Sequence, residues 1–359
     1  MLGTSPPCGY ARNWFSHCRM SEYSNITAAI VRETRAREKA LPLMNDNCRS
    51  RFLLQAQRTT KVCLFFHGFT ATPEQFTPIG EAFFQAGYNV VIPLLPGHGI
   101  AGDWDGDNPP PLPEEQRFYQ EFGLYWLEQV QALGEQVVIG GLSGGSTLAA
   151  WLALERPHSI HRALLFAPFL SNSNLLVDFI VKILPIYFQW RTEEGAISYG
   201  YDGFVMPALR VFMDMGQDIL DRVKTSIAAA PCFIIGSESD RAVDENENRD
   251  LYASLVKLQP KCWYYSFDRV FDIPHNMMTK AEGNEYQDLV IAVAKAYVES
   301  DLTWKEVEEI AYQMLFQGKT FDTVVQRLNL TSRVSPDLQT LISLLDKPTI
   351  IAAHQSESS

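Results

Sequence analysis

The chain has 359 residues, 46% apolar and 20% charged, enough for one large core with insertions or for two smaller ones. Its formal net charge of −12 disfavours nonspecific binding to nucleic acid or to an anionic membrane, and no long Lys/Arg run offsets that locally. No run of about 18 uncharged apolar residues is present, and the N-terminus lacks an apolar signal-peptide core, so no transmembrane helix is expected and the cytoplasm is the expected location.

Met1 to Ser24 reads as a loose tail, with Met20 an alternative start, and Ile26 to Ala40 as a short surface helix. Arg51 to Gln57 reads as a strand. A regular alternation then begins: strand Lys61 to Phe66, helix Glu74 to Gly87, strand Tyr88 to Leu95, helix Phe118 to Leu133, strand Gln136 to Leu142, helix Gly145 to Glu155, strand Arg162 to Phe166. Short apolar strands alternating with helices imply βαβ units and a mostly parallel sheet buried on both faces.

The rhythm breaks after Pro168 and resumes with strand Pro231 to Gly236, helix Leu251 to Leu258, strand Lys261 to Ser266 and helix Tyr286 to Val298. The stretch between is read as an insertion over one edge of the sheet. Within it, Leu175 to Phe188 predicts an apolar helix with Asp178 and Lys182 on one stripe and Pro185 ending or kinking it. From Asp301 the chain reads as all-helical, opened by a Thr303/Glu306 capping box. The expected division is an N-terminal tail and helix over 1–50, a core over 51–170 and 230–300, an insertion over 171–229, and a C-terminal helical extension with a disordered end over 301–359.

None of the six cysteines falls in a C-x-x-C pair, so reduced structural thiols are expected and no metal site. The chemistry centres on Gly141-Leu142-Ser143-Gly144-Gly145, a G-x-S-x-G sequence between an apolar strand and a helix. A sharp turn there would expose the Ser143 hydroxyl at the end of the sheet, and its neighbours must be small for the helix to pack on the strand. A serine hydroxyl needs a base, and the base an orienting acid. Asp240 follows the strand PCFIIG, where open α/β sheets place functional groups; the bland alternative is a turn or capping residue, and Asp244, Asp268 and Asp272 are weaker rivals. His275 is the histidine that follows this acid. His17 and His354 lie in tails, and His158 and His161 in a connecting loop read as solvated. Phe69, in the loop after Lys61 to Phe66, and Gly144 are the candidate backbone N–H donors for an oxyanion. His67 is read as a loop-shaping residue.

His67-Gly68-Phe69-Thr70, Pro96-Gly97-His98-Gly99 and Gly141-Leu142-Ser143-Gly144-Gly145 together resemble the α/β-hydrolase superfamily, in its carboxylesterase and monoacylglycerol-lipase-like branch, over roughly Arg51 to Glu299. The resemblance implies an α/β-hydrolase fold with a helical cap insertion, an acyl ester substrate and no cofactor. It implies a Ser143–His275–Asp240 triad acting through an acyl-enzyme. Two departures stand out: Gly144 takes the place of the larger residue common after this serine, and the tail after Asp301 lies outside the shared pattern. The insertion would then wall an acyl site; packing on the core and docking on a membrane surface are its other readings. Thioester hydrolysis or acyl transfer on the same residues is the nearest alternative function, and a noncatalytic binding protein of this fold is the alternative from another class. Oligomeric state is not legible.

Overall fold

The computed structural model describes residues 9–171, 186–190, 195–346, 348, 350 and 351, with backbone alone for residues 9–21. The strands are β1 (Arg51–Leu53), β2 (Lys61–Phe66), β3 (Asn89–Ile92), β4 (Gln136–Leu142), β5 (Arg162–Phe166), β6 (Tyr187–Gln189), β7 (Gly203–Val205), β8 (Cys232–Ser237) and β9 (Trp263–Phe267). The helices are α1 (Gly9–Lys39), α2 (Thr77–Gln85), α3 (Gln116–Gln131), α4 (Gly144–Glu155), α5 (Met206–Arg222), α6 (Glu245–Leu258), α7 (Gln287–Val298), α8 (Trp304–Gln317), α9 (Phe321–Arg327) and α10 (Leu338–Leu344).

Seven strands form one sheet in the order β1-β3-β2-β4-β5-β8-β9. β1 runs antiparallel to β3, and every other pairing in this sheet is parallel. Successive side chains of a strand point to opposite faces, so one apolar run feeds two cores. In β2, Val62, Leu64 and Phe66 join α1, α3, α4, α5 and α6 on one face. Cys63 and Phe65 join α2, α7 and the C-terminal helices on the other. This two-sided burial explains why the inner strands carry continuous apolar sequence instead of alternation.

Several sequence expectations change. The tail reading of Met1 to Ser24 gives way, from Gly9 onward, to α1. No Pro or Gly interrupts Ala11 to Ala40, and Tyr23 anchors the helix by donating its hydroxyl to Asn89 Oδ1 at 2.9 Å. The strand expected over Arg51 to Gln57 pairs only through Leu53. Between β5 and β8 a small antiparallel hairpin appears, Tyr187 opposite Val205 and Gln189 opposite Gly203. Tyr187 and Phe188, the end of the predicted apolar helix, therefore lie in a strand; the rest of that helix up to Pro185 falls outside the described residues, as does the end of the chain expected to be disordered. His161 is partly buried, not solvated, and burial lowers its pKa. Cys48, Cys63, Cys232 and Cys262 are buried free thiols.

Candidate active site

β4 ends at Leu142 and α4 starts at Gly144, leaving Ser143 to make the turn alone. Its φ of 55° and ψ of −119° lie where non-glycine residues are rarely found. Close packing imposes this. A Cβ on Gly141 would lie 2.3 Å from the Gly145 backbone, and one on Gly145 2.3 Å from the Phe66 carbonyl oxygen. The Ser143 N–H donates to the Phe166 carbonyl at 3.0 Å, tying the turn to the end of β5. Its carbonyl accepts from the Thr147 N–H at 2.9 Å.

Two strands further along the sheet edge, β8 and β9 end beside each other, and their following loops meet. His275 Nδ1 lies 2.7 Å from Asp240 Oδ2, with the Asp240 side chain 2% exposed and that of His275 22% exposed. The carboxylate can only accept, so Nδ1 carries the proton and Nε2 presents a lone pair. Asp240 Oδ1 accepts from the Ala242 N–H at 2.7 Å, which fixes the carboxylate. Ser237 Oγ donates to the Ile273 carbonyl at 2.7 Å and so ties the acid loop to the histidine loop. The described hydrogen bonds join His275 to Asp240 and not to Ser143; such contacts are often long before substrate binds. The rival carboxylates have other work or none here: Asp244 caps α6, and Asp268 caps the turn at Val270. Asp272 is exposed.

The Phe69 and Gly144 N–H groups donate to no other described residue. Gly144 opens α4, so its N–H is one of the unpaired donors that any helix start leaves over. A Cβ on Gly144 would meet the Phe212 ring at 3.1 Å, which accounts for the missing larger residue: α5 fills that space with a phenyl ring. His67 does shape its loop. Its Nδ1 faces the Gly68 carbonyl at 3.0 Å and its Nε2 accepts from the Leu95 N–H at 3.0 Å, while burial holds its pKa well below the usual range. His98 is likewise buried, with its pKa pushed down to about 4.

Some contacts around the site had no signal in the sequence. Gln75 Oε1 accepts from the Gly68 N–H at 2.7 Å, and its Nε2 donates to the buried Glu282 at 2.6 Å. His98 and Trp190 bond Thr70. The Pro96-Gly97-His98-Gly99 motif was the one available pointer to His98, and it gave no partner.

A seven-stranded, mostly parallel sheet with a serine on a strained strand-to-helix turn defines an α/β-hydrolase. The profile of the alpha/beta hydrolase family matches residues 63–305, and the chain belongs to that family. A segment of 99 residues is 36% identical to a thermostable monoacylglycerol lipase of Bacillus sp. (strain H-257), covering 26% of this chain and 35% of that relative, about a third of its length. Among solved structures, a metagenome-derived lipolytic enzyme from a study of LipS and LipT superposes with a TM-score of 0.58 at 16% identity, covering 70% of this chain and 98% of the other. The monoacylglycerol lipase of Paleococcus ferrophilus does so with a TM-score of 0.53 at 16% identity, covering 69% and 97%. The resemblance to the α/β-hydrolase superfamily is thus borne out, and the structural likeness establishes the fold.

Proposed function

We propose that this chain hydrolyses carboxylic esters through an acyl-enzyme. Ser143 attacks the ester carbonyl, His275 Nε2 takes its proton and returns it to the leaving alcohol, and Asp240 holds the imidazole tautomer and stabilises its charged form. The Phe69 and Gly144 N–H groups receive the oxyanion. Water activated by His275 then releases the acid. The observation that carries this reading is the 2.7 Å pairing of His275 with a buried Asp240 on the loops that follow β8 and β9, at the same edge of the parallel sheet as the strained Ser143 turn.

A neutral, moderately apolar ester such as a monoacylglycerol suits the surroundings. Phe69 packs edge-on to Phe204 at 5.0 Å and Phe212 at 5.4 Å, an aromatic wall with no charge of its own. The lipase relatives named above act on the same class by their names. The stretch 171–229 is read as the cap that supplies this wall. Among the described residues no helix is long and apolar enough to cross a membrane; a cytoplasmic location is the reading that the buried reduced thiols support.

The test is a panel of acyl esters and thioesters of graded chain length. Ser143→Ala is expected to lower kcat/KM by about 10³-fold or more, with esters preferred over thioesters. Full activity in Ser143→Ala would overturn the mechanism, and a preference for thioesters would overturn the substrate class.

A further inference from the structure

Thr70 directly follows Phe69 and holds a left-handed backbone with φ of 68°, rare for a β-branched residue. All three of its polar groups are engaged. Its N–H donates to His98 Nε2 at 3.1 Å. Its carbonyl accepts from the Tyr201 N–H at 2.9 Å. Its Oγ1 accepts from Trp190 Nε1 at 2.9 Å. Only His98 belongs to the body of the sheet domain; Trp190 and Tyr201 belong to the segment between β5 and β8. That segment presses closely here, since a Cβ on Gly200 would lie 1.8 Å from the Thr70 carbonyl oxygen.

The Phe69 N–H therefore sits between two anchored residues. On one side the Gly68 N–H is fixed by Gln75, and on the other Thr70 is fixed from three directions. Donors to an oxyanion work only when already aimed at the position the charge will occupy. We infer that Trp190 and Tyr201 position the Phe69 N–H, so that the segment between β5 and β8 completes the oxyanion site and does not merely flank it. The inference rests on the reading of Phe69 as an oxyanion donor. Trp190 is the residue through which it is testable. Its ring packs on Phe204 at 5.0 Å and on Phe188 at 5.4 Å, and it is 38% exposed. Trp190→Phe keeps a ring in that group and removes the donor.

The experiment uses the full chain and a soluble short-chain p-nitrophenyl ester. Loss of one neutral hydrogen bond corresponds to about a 3- to 10-fold change. Trp190→Phe is expected to lower kcat by that factor with KM unchanged, and to slow fluorophosphonate labelling of Ser143 by the same factor. Thr70→Val, which removes the acceptor from the other side, is expected to do the same, and the double variant to fall no further than either single one. Ile197→Ala, an exposed position in the same segment, serves as the control at wild-type rates. Wild-type kcat and labelling rate in Trp190→Phe, or additive losses in the double variant, would overturn the inference. A wild-type protein that never labels at Ser143 would instead overturn the functional reading beneath it.

Discussion

At the scale of single residues, Gly144 and Phe212 form a matched pair. Phe212 is fully buried, with Phe69 5.4 Å and Tyr119 4.7 Å from its ring centre, so the ring has no room to retreat. Gly144→Ala is expected to destabilise the chain by about 1–3 kcal/mol through overpacking, read as a lower urea midpoint. Phe212→Leu in the same chain is expected to return part of the loss. An unchanged midpoint in the single variant would count against the pairing. The sequence marked Gly144 as unusual but offered no reason, because the ring that fills its space comes from another element. The Ser143 turn was legible because its requirement for small neighbours is local. His98 and Gln75 were not, since each acts by bonding a backbone group that only the fold brings near.

At the scale of elements, a buried polar relay braces the loop after β2 against the stretch that follows His275. Gly68 leans on Gln75, Gln75 on Glu282, and Glu282 on the Thr279 hydroxyl at 3.0 Å, in the stretch that follows His275. Burial pushes the Glu282 pKa up from its ordinary 4.5 to about 8, against the opposing hydrogen bonds from Gln75 and Thr279. Between those values the folded chain holds a proton that the unfolded chain has released. Stability from this group is therefore full below the ordinary value and is lost as pH rises through about 8. Glu282→Gln keeps the shape and cannot ionise. Its melting temperature is expected to fall less than that of the wild type between about pH 5 and pH 8.5; parallel melting curves across that range would refute the assignment. The strands β2, β4 and β5 were readable to the residue, because burial on both faces forces uninterrupted apolar runs. The β6–β7 hairpin was not, because strands this short in an aromatic stretch are defined by their partner and not by a period.

At the scale of the whole molecule, the C-terminal helices belong to the same body as the sheet. Val307, Ile310, Val324, Leu338 and Leu341 are fully buried in the core face that β2 and β9 share. Each such side chain gains about 1.5–3 kcal/mol on burial, against a total stability of roughly 5–15 kcal/mol. Polar ties reinforce the contact: Trp263 Nε1 donates to the Leu302 carbonyl at 3.0 Å, and Arg333 holds both Glu306 oxygens at 2.8 and 3.0 Å. A chain ending at Ser300 is expected to lose cooperative unfolding and to collect in the insoluble fraction. A soluble truncated chain with an unchanged melting temperature would show the extension to be dispensable. The helices themselves were visible in the sequence through their capping box and spacing, while their docking face was not, since an amphipathic stripe does not say what it covers.

The parallel pairing of β5 with β8 also divides the stretch between them into two kinds of sequence. Parallel neighbours oblige the chain to travel back along the sheet, and α5 makes that journey while seating Phe212 on Gly144. Among the described residues before it, β6 and β7 pair only with each other and carry no strand of the main sheet. Recombination that exchanges only that earlier portion leaves the sheet's connectivity whole and replaces what leans on Thr70. A transplant carried on to Ala229 removes a strut as well. Diversity in this chain's lineage is therefore expected to be lower over α5, and at Trp190 and Tyr201, than at the exposed Ile186 and Ile197 of the same stretch.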